Sequence, residues 1–270
     1  MEPASTDRSP DQELIVERRG RVTWLTFNRP EARNAMTWNM YERLAQACEA
    51  VNEDNTARAL VLTGAGGKAF VSGTDIAQFR SMSSQQDFLE YERRGTAVLR
   101  ALESVRVPTI AAIAGACTGA GAAIANCCDL RIVSPSARYG FPIARTLGNG
   151  LSMTNYARAM ALLGPSRLKD LIFRARLMNA EEMLSAGFVA EVTPDEASLP
   201  RRAHELAEEV ASHAPLTLWV TKESLRRIRD RLVPPDDDSA LLLSVYMSSD
   251  FREGVEAFLE KRAPNWKGSA

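Results

Sequence analysis

Two glycine-rich segments are the parts of this sequence whose residue types and spacing could support chemistry. They read TGAGGKAFVSGTDI over residues 63–76 and AGACTGAGAAIANCCD over residues 114–129. A helix that begins at a glycine turn directs unpaired N–H groups and the positive end of its dipole toward that turn. Two such turns in contact would form an oxyanion hole, suited to a developing enolate or tetrahedral oxyanion. The alternative is that the glycines only permit tight turns and close helix packing.

Neither segment matches a phosphate-binding loop. A Walker A loop requires Ser or Thr after its lysine, whereas Lys68 is followed by Ala69. Gly119 and Gly121 satisfy two positions of a dinucleotide-binding fingerprint, but Ile124 occupies the third. The sequence therefore disfavours nucleotide binding by either of these motifs.

Residues for other kinds of catalysis are absent from the neighbourhood of the turns. His204 and His213 lie in the C-terminal part, which disfavours a Ser-His-Asp or Cys-His site. We interpret Cys117 as a small buried apolar residue rather than a nucleophile, and Tyr139 as a packing residue. No Cys, His and carboxylate cluster has metal-ligand spacing, so no metal is expected. The four cysteines are typical of reduced cytoplasmic thiols.

Composition excludes several classes of protein. The 270 residues include 33 Lys and Arg and 34 Asp and Glu, so the net charge of −1 argues against a nucleic-acid binder. No run of about 18 apolar residues occurs, which argues against a membrane span. Residues 1–12 are polar and lack the apolar region of a signal peptide, and we predict a disordered tail there. A cytoplasmic protein is expected.

Strand and helix patterns alternate over about the first 190 residues. Two strands flank Gly20, and later elements are predicted as helix 37–52, strand 58–64, helix 84–104 and strands 107–115 and 129–134. Thr37 is a predicted N-cap, and Ser84 with Asp87 a predicted capping pair. This alternation indicates a largely parallel sheet covered by helices. We predict a core over residues 13–196 and a helical region over residues 197–270, with helices at 197–212, 216–231 and 239–261, the last capped by Asp238 or Ser239.

Several motifs in series resemble the enoyl-CoA hydratase/isomerase (crotonase) family. They are NRPEARNAM (28–36), KAFVSGTDI (68–76), AAIAGACTGAGAAIANCCDLRIVSPSARYGFP (111–142), LMNAEEMLSAGFVAEV (177–192) and the C-terminal FLEKRAPNWKG. The resemblance covers about residues 13–268. It implies an α/β fold built as a spiral of ββα units, with a C-terminal helical region that forms a homotrimer or homohexamer. It also implies a lyase or isomerase of fatty acid metabolism whose ligand is an acyl-CoA thioester, with no cofactor besides the coenzyme A of the substrate.

The same resemblance assigns roles to individual positions. The oxyanion hole falls on the backbone N–H groups of Thr74 and Ala120. Asp75 matches a family position that usually begins a helix, so we interpret it as an N-cap rather than a base. The coenzyme A moiety is expected near Arg29, Arg33, Ala35, Lys68, Ala69, Phe70, Asp75 and Ile76, with Asn34 and Met36 nearby and with Lys261, Arg262 or Lys267 able to approach its phosphates.

The sequence departs from the hydratases of the family at two positions. Those hydratases carry two glutamates there, which exchange protons with the enoyl chain. Ala123 and Ile143 stand at those positions. We therefore expect an enzyme that stabilises a thioester enolate without ordinary hydration. Arg145 could clamp a carboxylate or stabilise the enolate, and Asn149 or Thr146 could orient a water.

Three alternatives remain open at this point. The protein could be a decarboxylase or hydrolase of coenzyme A esters, because decarboxylation requires an oxyanion hole but no strong base. It could be a catalytically weak acyl-CoA-binding protein. Hydration could also use carboxylates from elsewhere, such as Asp75 or Glu181.

Overall fold

The computed structural model describes residues 12–231, 233 and 238–268. The predicted N-terminal tail, residues 1–12, lies outside these residues except for Gln12. Within the described part of the chain, no helix combines the length and apolarity that crossing a membrane requires.

Six strands form the larger of two sheets. They are β1 (Leu14–Arg19), β2 (Val22–Phe27), β3 (Ala59–Gly64), β5 (Thr109–Ile113), β7 (Leu130–Val133) and β9 (Glu191–Val192), in that spatial order. The β1–β2 pair is antiparallel, as expected for strands joined by the turn at Gly20, and every later pair is parallel. The predicted hairpin and the predicted parallel sheet are thus both confirmed.

A second, smaller sheet makes the fold a spiral of ββα units. It contains three parallel strands, β4 (Ala69–Val71), β6 (Ala116–Thr118) and β8 (Arg138–Gly140). The strand pairs β3–β4, β5–β6 and β7–β8 each contribute one strand to each sheet and are each followed by a helix, whereas β1 and β2 both belong to the larger sheet. The glycine turns follow β4 and β6, so both lie at the carboxyl ends of neighbouring parallel strands.

Ten α-helices complete the described chain. They are α1 (Trp38–Glu53), α2 (Gln85–Glu103), α3 (Ala120–Cys127), α4 (Ile143–Thr146), α5 (Met153–Phe173), α6 (Ala180–Ser185), α7 (Leu199–Ala211), α8 (Pro215–Asp230), α9 (Ser239–Tyr246) and α10 (Ser249–Leu259). Thr37 caps α1 by accepting from the Met40 N–H, and Ser84 and Asp87 form a reciprocal capping box at α2. Both predicted caps are confirmed.

The prediction of one helix over residues 239–261 is wrong. The chain breaks after α9, because Ser248 accepts from the Phe251 N–H and begins a second helix. Asp238 stands at the start of α9 but does not cap it. Its carboxylate instead accepts from the Met153 N–H at 2.5 Å and caps α5. Side-chain capping across 85 residues of chain has no local sequence signal.

An aromatic cluster attaches the C-terminal helices to the core. Phe88 of α2 stacks on Tyr246 of α9 with ring centroids 5.0 Å apart, and Phe251 of α10 packs edge-on against both rings. Tyr246 and Phe251 are almost fully buried, at 1% and 2% exposure. Aromatic side chains bury large apolar areas, so this contact fixes α9 and α10 beside α2.

A buried ion cluster holds α2, α5 and α8 together. Glu103 accepts from Arg158 Nη2 at 2.6 Å and also pairs with Arg229. Burial disfavours the charged form of Glu103, but the hydrogen bonds and charges of the two arginines prevail and hold its pKa below the usual value. The carboxylate is therefore required to neutralise Arg158, whose side chain is 1% exposed.

We expect Glu103→Ala to destabilise the protein by about 3–5 kcal/mol, because it leaves a buried guanidinium without its counter-charge. Urea unfolding monitored by circular dichroism measures the change. The matched control is Glu205→Ala, which removes a carboxylate from an exposed ion pair with Arg201 and should change the midpoint little. Equal effects of the two substitutions would contradict the structural role given to Glu103.

Candidate functional site

The two glycine turns lie side by side. Thr118 Oγ1 donates a hydrogen bond to the Ser72 carbonyl oxygen at 2.8 Å. A β-carbon at Gly119 would lie 3.5 Å from the Gly73 Cα. Both glycines have positive φ values, 135° for Gly73 and 55° for Gly119, which other residues rarely adopt. The sequence therefore needs glycine on both sides of this contact.

The predicted N–H donors face away from internal acceptors. Met36 donates to the Gly73 carbonyl and accepts from the Asp75 N–H across a parallel bridge. The N–H of the intervening Thr74 is therefore directed away from Met36. Ala120 is the first residue of α3, and its N–H has no carbonyl in a preceding helical turn. The two residues line one cavity, in an arrangement that suits two donors to a single oxyanion.

Gly121 sets the position of α3. A β-carbon there would lie 2.0 Å from the Val71 carbonyl oxygen, so the helix packs directly on the backbone of β4. Since Ala120 is the preceding residue, this contact places the N-terminus of α3 against the first glycine turn.

The cavity has a volume of about 730 Å³ and an apolar wall at the positions of the missing glutamates. Ala123 and Ile143 both line it and are 8% and 6% exposed. Their side chains contain only carbon and hydrogen, so neither exchanges a proton or hydrogen-bonds a water.

Arg145 is not where the sequence interpretation placed it. Helix α4 turns Ile143, Thr146 and Leu147 toward the cavity, while Arg145 is exposed and absent from the cavity lining. Residues at i, i+3 and i+4 share one helical face, and i+2 points elsewhere. Arg145 therefore lies off the face of α4 that lines the cavity.

Asn149 does lie in the cavity wall. Its Nδ2 donates to the Gly150 carbonyl oxygen at 3.3 Å. Its Oδ1 is buried and accepts no hydrogen bond from the described residues. A buried unpaired acceptor favours a ligand that brings a hydrogen-bond donor.

The residues predicted to bind coenzyme A divide into two groups. Four line the cavity: Arg33, Ala35, Asp75 and Ile76. The other four do not: Arg29, Lys68, Ala69 and Phe70. Lys68 is exposed, whereas Ala69 and Phe70 are buried. Phe70 packs edge-on against Phe27, with ring centroids 5.4 Å apart. The side chains of Ala69 and Phe70 are therefore both in the interior, because β4 is covered on both of its faces.

Among the C-terminal basic residues, only Lys261 lines the cavity. Arg262 is engaged with Glu253 and Glu260. The Lys267 backbone N–H donates to Asp250. Lys261 is exposed, so its ammonium group is free to meet an anionic ligand at the cavity mouth.

Asp75 is an N-cap, as predicted. Its carboxylate accepts from the Ala77 N–H at 3.3 Å at the start of the 3₁₀ helix Ile76–Ser81 and pairs with Arg29 at 3.2 Å. Glu181 is exposed in the first turn of α6 and is not part of the cavity. Of these two carboxylates, Asp75 lines the cavity and Glu181 does not.

The other residues considered from the sequence are structural. Cys117 is fully buried, and burial raises the pKa of its thiol, which makes a thiolate nucleophile unfavourable. Tyr139 donates to Asn126 Oδ1 at 2.7 Å in the core, consistent with a packing role. His204 lies on α7 near Trp24, and His213 follows the same helix, both outside the cavity.

Glu92 is an ionisable residue of the cavity that the sequence analysis missed. Glu92 of α2 lines the wall, and its Oε1 accepts from the Tyr246 hydroxyl at 2.5 Å. Burial raises the pKa of this carboxyl to about 7, although the Tyr246 hydrogen bond lowers it. A signal was present, since Glu92 lies four residues after Phe88 and seven before Leu99, on the apolar face of the predicted helix.

Two tyrosines hold the side chain of Thr74. The hydroxyls of Tyr41 and Tyr91 lie 2.8 Å and 3.3 Å from Thr74 Oγ1. Burial raises the pKa of Tyr41 to about 12, and burial also raises the pKa of Tyr91, so both stay protonated near neutral pH. These contacts hold the Thr74 side chain and thereby restrict the first glycine turn.

Similarity to known proteins identifies the family of this chain. Residues 17–269 match the family described as enoyl-CoA hydratase/isomerase. The chain belongs to the enoyl-CoA hydratase/isomerase family. It is 32% identical to the crotonyl-CoA hydratase of Syntrophomonas wolfei over 94% of this chain and 98% of the relative. It is also 32% identical to the short-chain-enoyl-CoA hydratase of Clostridium acetobutylicum, over 92% and 95% of the two chains.

Solved structures show the same fold. A methylmalonyl-CoA decarboxylase in complex with 2-nitronate-propionyl-CoA superposes with a TM-score of 0.86 at 26% identity, over 95% of this chain and 99% of the other. An enoyl-CoA hydratase/carnithine racemase from Magnetospirillum magneticum gives a TM-score of 0.76 at 28% identity, over 95% and 96%. The predicted crotonase-like fold is thereby confirmed.

We expect Glu92→Gln to raise stability more at pH 8 than at pH 5. The folded-state pKa of Glu92 lies near 7, above the reference value of 4.5, so its protonated form favours folding and that contribution is lost as pH rises through 7. The gain of the variant at pH 8 has an upper limit of about 3 kcal/mol, the free-energy equivalent of that shift. Thermal unfolding at both pH values measures it.

Glu90→Gln is the control, on the same helix. Hydrogen bonds from Arg93 and Arg94 lower the pKa of Glu90 to about 2, so this carboxylate stays ionised from pH 5 to 8. Its substitution should have the same effect at both pH values. A Glu92→Gln variant that shows no pH-dependent difference from the parent would contradict the shifted titration.

Proposed function

We propose that this member of the family is an enzyme that stabilises the enolate of an acyl-CoA thioester, and that it is not a two-glutamate hydratase. The observation that carries the proposal is one cavity lined by both glycine turns and closed at Ala123 and Ile143 by apolar side chains. The acyl-CoA ligand follows from the family.

The chemistry depends on the thioester carbonyl oxygen. When a bond at the α-carbon breaks, its electron pair moves onto that oxygen. The N–H groups of Thr74 and Ala120 would donate to the resulting anion. Because they are backbone groups fixed by the contact of the turns, they require little reorganisation during the reaction.

A decarboxylase is the second candidate. The likeness to a methylmalonyl-CoA decarboxylase favours it, as do the hydrocarbon side chains at positions 123 and 143. Loss of CO₂ from the α-carbon leaves the electron pair on the thioester oxygen and requires an oxyanion hole but no base to start. A protein that binds acyl-CoA with little turnover is the alternative outside catalysis, and the experiment below distinguishes the two.

Binding and assembly complete the proposal. Arg33 and Lys261 lie at the cavity and are positioned to meet the coenzyme A phosphates, and no separate cofactor is invoked. Self-association as a homotrimer or hexamer is supported by helix α8, which buries none of its residues in the single chain. Its exposed apolar side chains are Leu216, Trp219, Val220, Leu225 and Ile228.

Ala120→Pro tests the oxyanion hole directly. Proline removes the N–H but is favoured at the first position of a helix, so α3 should still form. We expect turnover to fall on the order of 10²–10³-fold, the typical effect of losing one such donor. The measurement is mass spectrometry of products from a panel of enoyl-, β-hydroxy-, malonyl-, methylmalonyl- and aryl-CoA esters, with affinities measured by calorimetry.

Gln85→Pro is the matched control. Gln85 is the exposed first residue of α2, outside the cavity, and the same substitution there should leave turnover unchanged. Turnover by Ala120→Pro at the parental rate would contradict a role for this N–H. Tight binding of the panel without product from any ester would favour the binding protein over the enzyme.

Crotonyl-CoA hydration should be on the order of 10²–10⁴-fold slower than in a two-glutamate hydratase assayed alongside, or slower still, because both members of the acid–base pair are replaced. The double variant Ala123→Glu/Ile143→Glu should gain hydration, since both side chains extend into the cavity. The glutamine version, Ala123→Gln/Ile143→Gln, fills the same space without an exchangeable carboxyl proton. Parental hydration as fast as that of the two-glutamate enzyme would contradict the proposal.

A further inference from the structure

The cavity contains a carboxylate on a wall that neither family glutamate position predicts. Glu92 comes from α2, whereas positions 123 and 143 belong to α3 and α4. We propose that Glu92 is the acid–base residue that takes up and returns the proton at the α-carbon of the bound thioester. This inference rests on the proposed function, because it adds a proton-transfer group to the same enolate site.

Chain geometry brings Glu92 close to the oxyanion turn. Its neighbour Tyr91 reaches Thr74, with the Tyr91 hydroxyl 3.3 Å from Thr74 Oγ1. Its hydrogen-bond partner Tyr246 packs against Tyr91 with ring centroids 6.2 Å apart. Glu92 is therefore next to the tyrosines that contact the Thr74 side chain, and it lines the same cavity as Thr74 and Ala120.

The partners of Glu92 distinguish it from nearby structural glutamates. Glu90 pairs with two arginines, and Glu103 pairs with two others. Glu92 has no basic partner among the described residues, and Tyr246 supplies its hydrogen bond from a neutral hydroxyl. A carboxyl group held by one neutral donor can gain and lose a proton without breaking an ion pair.

The surroundings of Glu92 bring the pKa of its carboxyl group close to neutral pH. Burial raises the pKa of Glu92 to about 7, the Tyr246 hydrogen bond lowers it, and the charge of Asp238 raises it. Tyr41 on α1, Tyr91 on α2 and Tyr246 on α9 stay protonated, because burial raises the pKa of each. Helix α3 carries no charged residue. Both forms of Glu92 are thus present near pH 7, which suits an acid–base group.

The proposed step is balanced without a co-reactant. The ionised Glu92 carboxylate removes the α-proton as the carbon–hydrogen bond breaks. The electron pair moves onto the thioester oxygen, where the N–H groups of Thr74 and Ala120 stabilise it. The protonated carboxyl then returns a proton to the α-carbon. If CO₂ leaves instead, the protonated form of Glu92 supplies the proton that replaces it.

Deuterium exchange isolates this step from the identity of the acyl substrate. Full-length protein is incubated with butyryl-CoA in D₂O, and deuterium at the α-carbon is followed by NMR and mass spectrometry. We expect exchange by the parent protein and a loss on the order of 10²–10⁴-fold in Glu92→Gln. Affinity for butyryl-CoA, measured by calorimetry, should be retained, which also shows that the variant is folded. Glu90→Gln, which alters a carboxylate outside the cavity, should exchange at the parental rate.

The pH dependence of deuterium exchange tests the role of Glu92 separately, because a purely structural role would not make the exchange rate follow its titration. Exchange should rise with pH through a midpoint near 7 and then level off, because the ionised form is the base. Tyr246→Phe removes a hydrogen bond that favours the ionised form, so the midpoint should shift upward. Glu92→Gln should show no such transition.

The outcomes separate this inference from the proposed function. Exchange of the α-proton by the Glu92→Gln variant at the parental rate would overturn the role proposed for Glu92. Parent protein that binds butyryl-CoA but exchanges no α-proton would overturn it as well, while leaving thioester binding intact. Failure of the parent protein to bind any coenzyme A ester would instead overturn the proposed function itself.

Discussion

The contact between the two glycine turns is the constraint on which the site depends. Gly73 and Gly119 adopt positive φ values that other residues rarely adopt, and Gly121 brings α3 onto the backbone of β4. The parallel pairing of β4 with β6 places both turns at one edge of the smaller sheet. Both turns then line one cavity, in which the backbone N–H groups of Thr74 and Ala120 are the proposed donors.

Around that fixed feature, the ionisable side chains lie elsewhere than at positions 123 and 143. Ala123 and Ile143 make the walls beside α3 and α4 apolar, while α2 carries Glu92 into the cavity. The C-terminal helices complete this wall, because Tyr246 of α9 both packs on Phe88 and donates to Glu92. A buried carboxyl without a basic partner weakens the fold at high pH, and such residues are characteristic of functional sites.

Much of the fold could be predicted because its signals are local. The cap at Thr37, the Ser84–Asp87 capping box and the N-cap role of Asp75 each involve residues within three positions of one another. Strand and helix periodicity likewise indicated the alternating units. The division of the last helix had a local signal, the Ser248 cap, that the sequence analysis did not use, whereas the capping of α5 by Asp238 is a tertiary contact without one.

The sequence by itself determined the family, the order of the ββα units, the two glycine turns and the absence of carboxylates at positions 123 and 143. These are properties of residue type and spacing, which need no knowledge of distant contacts. Only the tertiary structure decided which side chains share the cavity. It turned Arg145 outward, because helical geometry sets i+2 off the inward face, and it brought Glu92 inward beside Tyr246, 154 residues away in the chain. Only tertiary packing brings such distant residues together. Burial in that packing also raises the pKa of the Glu92 carboxyl group.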